Sequence, residues 1–77
     1  MRSGLMWFDN DPHRPLEEKV KKAVQRYREK FGRVPNICYV NPDLLSGDEI
    51  RLKSVRVVAS SRILPNHFLV SFAEEEK

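Results

Sequence analysis

The sequence predicts an α+β domain: one long amphipathic helix packed on a three- to four-stranded, mainly antiparallel sheet. Three observations carry that expectation. Leu16, Val20, Ala23, Val24, Tyr27 and Phe31 recur at helical spacing and fall within an arc of about 100° around the helix axis. Every other position from Leu16 to Phe31 is charged or is Gln25. Downstream, short runs rich in Val, Ile, Tyr and Phe alternate with Asn, Pro, Gly and Ser, which is the punctuation of strands and turns.

The chain reads as one small domain with an N-terminal segment 1–14, a helix 15–31, a sheet region 36–72 and a tail 73–77. Leu5, Met6, Trp7 and Phe8 form a dense apolar patch, read either as a short edge strand or as a flap over the end of the helix. In either form it caps the core or, left exposed, serves as a partner-binding patch. Asp9–Pro15 (DNDPHRP) is turn chemistry, and Pro15 suits the start of a helix, where a missing N–H costs nothing. Glu17 and Glu18 then face the positive end of the helix dipole and Arg28 and Lys30 the negative end. Val20 and Tyr27 lie near the centre of the apolar stripe and Val24 at its edge, so Val20 and Tyr27 are expected to be deeply buried. Gly32 stops the helix, with Pro35 beyond it.

Asn36–Val40 is a short strand with Ile37 and Tyr39 on one face and Cys38 and Val40 on the other. Both faces are largely apolar, which fits a central strand. Asp43–Gly47 forms a helical turn or a tight loop. Asp48–Ser54 alternates Ile50 and Leu52 with charged residues and is a strand or the first arm of a hairpin. Val55–Ala59 is a strand, Ser60–Asn66 a turn, and His67–Phe72 the last strand. In it Phe68, Val70 and Phe72 share one face, and His67, Leu69 and Ser71 the other.

Gly32–Pro42 (GRVPNICYVNP) and Ile63–Phe72 (ILPNHFLVSF) together resemble small bacterial proteins of prophage and mobile-element type, a group with no assigned activity. The succession of strand, Asn-Pro, helical turn, strand, Leu-Pro turn and strand is also faintly similar to the peripheral domain of tailed-phage capsid proteins. The first likeness spans most of the chain; the second covers only part of it. A capsid subunit is a far longer chain, so no assembly function carries over.

Composition narrows the function classes. With 77 residues the chain buries about 60–65% of the surface its unfolded form exposes, so a core and a deep catalytic cleft compete for the same residues. Net charge is +3. Leu16–Phe31 carries Lys19, Lys21, Lys22, Arg26, Arg28 and Lys30 against Glu17, Glu18 and Glu29, so the excess belongs to the helix. Cys38 is the only cysteine. It rules out an intrachain disulfide and fits a reducing compartment, the cytoplasm. No apolar run approaches the ~18 residues that span a membrane, and the first residues lack the core of a signal peptide.

The chemistry-bearing residues are sparse. His67 and Cys38 would make a thiol–imidazole pair if they met across neighbouring strands. Cys38 sits in an apolar run, however, where a thiol behaves as a small hydrophobe, and His67 beside Pro65-Asn66 suits a backbone contact. Cys38, His67 and Asp43 have no recognised metal-ligand spacing. Asp43, Asp48 and Glu49 read as a solvated loop. Lys19, Lys22, Arg26 and Lys30 flank the apolar stripe on one side, as a phosphate-tracking ridge or an ordinary solvated face. The expectation is a non-enzymatic, cytoplasmic protein-interaction or adaptor domain without cofactor or metal. Its partner is another protein or a second copy, with Leu5, Met6, Trp7 and Phe8 as the partner patch. The alternative is weak, sequence-independent nucleic-acid binding through Lys19, Lys22, Arg26 and Lys30.

Overall fold

The apolar stripe of the helix is matched by one face of a five-stranded sheet. The structure, a computed structural model, describes residues 4–73; Met1–Ser3 and the tail Glu74–Lys77 lie outside the described residues. Its elements run β1 (Gly4–Phe8), α1 (Leu16–Phe31), β2 (Ile37–Val40), a 3-10 turn (Pro42–Leu44), β3 (Glu49–Leu52), β4 (Val55–Ala59) and β5 (His67–Ser71). The sheet order is β1-β5-β2-β4-β3.

The helix occupies the predicted span because its ends are chemically marked. Pro15 precedes it with φ −68° and ψ 161°, an extended geometry natural to proline. Glu17 and Glu18 sit in the first turn, Arg28 and Lys30 in the last. Gly32 turns the chain out at φ 73° and donates its N–H to the Arg28 carbonyl at 2.8 Å. A residue with a Cβ would be strained there.

β1 and β2 each pair antiparallel with β5, so they run in the same direction and α1 is the crossover between them. β2 and β4 pair in parallel, the path between them running through the 3-10 turn and β3. The expected sheet of three or four strands thus becomes five with one parallel pair, the other three neighbouring pairs being antiparallel. The edges of the sheet are β1 and β3. A two-residue turn, Lys53-Ser54, joins β3 to β4 in register, with Lys53 at φ 56°, a sign of twist that suits a tight hairpin.

Between the layers, Val20, Ala23 and Tyr27 of α1 meet Cys38, Val40, Val55, Val57, Phe68 and Val70. Val20 is 2% and Tyr27 1% exposed, as their place in the stripe predicts. Two asparagines tie the loops. Asn36 exchanges two hydrogen bonds with the Ala73 backbone, at 2.7 and 2.8 Å. Asn41 Oδ1 accepts the Asp43 N–H at 2.9 Å, and its Nδ2 donates to the Ile63 carbonyl at 2.8 Å.

Candidate interaction surfaces

One helix covers one face of the sheet. Strand alternation sends every second side chain to the other face, and a row of apolar residues collects there. Met6 stands opposite Leu69, Leu69 opposite Tyr39, and Tyr39 opposite Val58. Met6 is 52% and Phe8 54% exposed, while Leu69, Tyr39 and Val58 are half-buried. Phe8 also leans on the His67 ring, with centroids 5.0 Å apart. The row ends at Glu49, opposite Val58, whose Oε2 lies 3.0 Å from Arg56 Nε.

The N-terminal quartet therefore divides between the two faces of the sheet. Leu5 and Trp7 pack against the core, and only Met6 and Phe8 reach the open face. Leu69, Tyr39 and Val58 stand on that face with them, and the sequence reading did not single these residues out. The readable signal was parity: the second face of an apolar central strand lies away from the single helix among the described residues, and on it Ile37 is buried while Tyr39 is half-buried.

The two sheet edges differ. Asp9 N–H donates to the Asn66 carbonyl at 2.9 Å, continuing the β1–β5 register. Hydrogen-bonded pairs alternate along an antiparallel ladder, so Leu5 and Trp7 bond β5, and the N–H and C=O of Gly4, Met6 and Phe8 point to the free edge. On the far side Ala59 N–H donates to the Asp48 carbonyl at 2.9 Å, which leaves Glu49 and Arg51 facing out from β3. Charged side chains guard that edge; β1 carries none.

The basic flank of α1 is divided. Lys19 is only 8% exposed, so an outward phosphate ridge loses its first member. It lies instead near Asp9, whose carboxylate accepts the Asp11 N–H at 3.0 Å and Arg14 Nη1 at 2.8 Å. Burial alone would raise the Asp9 carboxyl. The Asp11 N–H, the Arg14 guanidinium and the charge of Lys19 outweigh it and hold the group below its ordinary value of 3.8. Arg26 lies 5.7 Å from the Trp7 ring and pairs with Glu29 at 3.5 Å. Lys30 lies 5.8 Å from the Phe31 ring. Lys22 turns toward an open groove of 550 Å³ between α1 and the β3–β4 hairpin, floored by Val24, Val34 and Leu52 and rimmed by Lys21, Arg28 and Lys53.

Cys38 and His67 do not meet. Cys38 is fully buried under the helix, and burial pushes its thiol up to about 12. His67 is on the open face, its Nδ1 2.9 Å from the Pro65 carbonyl. Among the described residues no three His, Cys, Asp or Glu side chains converge as a metal site would require. No helix there is long and apolar enough to cross a membrane. The buried indole Nε1 of Trp7 has no hydrogen-bond acceptor, a cost of about 1–3 kcal/mol carried at the β1 edge. No protein-family model, curated protein or solved structure matches the chain.

Proposed function

We propose that this is a small non-enzymatic interaction domain that engages another protein through the uncovered sheet face. The supporting observation is the continuous apolar row Met6–Leu69–Tyr39–Val58, joined by Phe8. An exposed, contiguous apolar strip rimmed by charge is the usual signature of a protein contact. The test compares capture by the native chain with capture by a Met6→Lys, Leu69→Lys double variant from an extract of the cells that make it. A protein retained by the first, lost by the second and bound when purified supports the reading. Equal capture by both contradicts it.

Nucleic-acid binding is the second reading, resting on the exposed Lys22, Arg26 and Lys30. Three phosphate contacts correspond to a log–log salt slope of about −2.7 and to affinities no tighter than about 10⁻⁴–10⁻⁵ M. The burial of Lys19 and the Arg26–Glu29 pair both count against it. A salt-sensitive titration of duplex DNA, abolished by Lys22→Glu with Arg26→Glu, would favour this reading over the first.

A further inference from the structure

We propose that β1 is an acceptor edge for an extended segment of another protein, in which apolar and acidic residues alternate. This deepens the interaction-domain reading and rests on it. Along Gly4–Phe8 the outward N–H and C=O groups of Gly4, Met6 and Phe8 are set at strand spacing, without a partner among the described residues. Backbone pairing to such an edge supplies affinity, and alternate side chains supply selectivity. The segment lacks every device that normally blocks edge pairing: it has no proline, no charge and no bulge in its register with β5. The opposite edge, β3, carries Glu49 and Arg51.

The chemistry on the two sides of β1 specifies the visitor. Below the edge, beside the open face, stand the exposed side chains of Met6 and Phe8. An added strand would lay every second side chain against them, so those residues are apolar. Above the edge stand Trp7 and the flank of α1. Arg26 reaches over the Trp7 ring with 60% of its side chain exposed, paired at 3.5 Å with Glu29, and exposed Lys30, one helical turn on, shares that side of α1. The intervening side chains of the added strand meet that cationic flank, so they are carboxylates. A second copy of the chain fits poorly. α1 packs over both β1 and β5, so pairing β1 with β1 would bring two cationic flanks to helix-neighbour distance, about 10 Å.

The probe is a short peptide alternating valine and glutamate, blocked at both ends, and the readout is amide hydrogen exchange of the full chain. Exchange at Gly4, Met6 and Phe8 should slow by about tenfold or more with the peptide. Leu5 and Trp7, already bonded to β5, should change little. The same peptide with lysine for glutamate should bind about tenfold more weakly, and Arg26→Glu should reverse that preference. Met6→Pro removes an outward N–H without breaking the β5 ladder, so it should abolish binding. Should that variant unfold, a peptide N-methylated on alternate amides, which cannot pair, tests the same point by failing to bind. Protection at Glu49 and Arg51 instead, equal binding of the lysine peptide, or no protection at saturating peptide would each overturn the proposal. So would protection of Gly4, Met6 and Phe8 that rises with protein concentration alone, because the occupant would then be a second copy. If the Met6→Lys, Leu69→Lys variant loses a purified partner while that partner leaves the β1 amides unprotected, the edge proposal fails and the interaction-domain reading stands. If the β1 amides are protected but the variant keeps the partner, the open-face reading fails alone.

Discussion

Met6 on β1 lies directly opposite Leu69 on β5, and both side chains stand on the sheet face that no helix of the described residues covers. Their neighbours in sequence tell the opposite story: Val70 is fully buried under α1. Adjacent positions of one strand therefore separate surface from core. Leu69→Lys should change unfolding free energy by less than about 1 kcal/mol. Val70→Asp, which buries an unpaired carboxylate, should prevent folding. Urea unfolding of the two variants checks this, and equal destabilisation would mean that both faces of β5 are covered.

Val20 makes the same test on the other layer. It is packed against β2, β4 and β5 residues in one cluster. Val20→Asp should abolish the cooperative thermal transition, whereas Glu17→Gln on the solvent side should move it by no more than a few degrees. A Val20→Asp chain with native stability would show that the stripe faces water.

The helix was legible, Pro15 at its N-cap aside, because its signals are local: one apolar arc, acidic residues at its start, glycine at its end. β2, β4 and β5 were legible as β-branched and aromatic runs. The edges were harder. β1 is apolar at Leu5 to Phe8 without a break, which hides its alternation, and β3 interleaves charge in only four residues. Strand order depends on pairings between distant segments, and no local pattern encodes the place of β5 between β1 and β2. Lys19 misleads for a related reason. A helical wheel puts it at the border of the stripe, and tertiary packing, with Asp9 close enough to feel its charge, decides that it is buried.

Cys38 should be inert in the native chain. A fully buried thiol with its ionisation pushed up to about 12 offers almost no thiolate near neutral pH. A disulfide reagent should label it only at the rate of unfolding, and rapidly in denaturant. Fast labelling of the folded chain would contradict its burial beneath α1.

Asp9 gives the domain an acid sensitivity of definite sign. Its folded value lies below the ordinary 3.8, so its contribution to stability is complete above that value. The contribution is lost as pH falls through the lower folded value. Asp9→Asn should lower stability at neutral pH and flatten the fall in stability below about pH 4. Denaturant unfolding at a series of pH values reads this directly, and an unaltered acid limb in the variant would remove Asp9 from the account.

The claim that the face opposite α1 is the working surface is tested most directly at Met6. Its side chain is half exposed in the free chain, so mild peroxide should convert it to the sulfoxide readily. With a purified protein partner bound, oxidation at Met6 should slow by about tenfold or more, as burial of a hot-spot side chain implies. Oxidation that proceeds at the free rate in the complex would place the partner elsewhere and contradict the account.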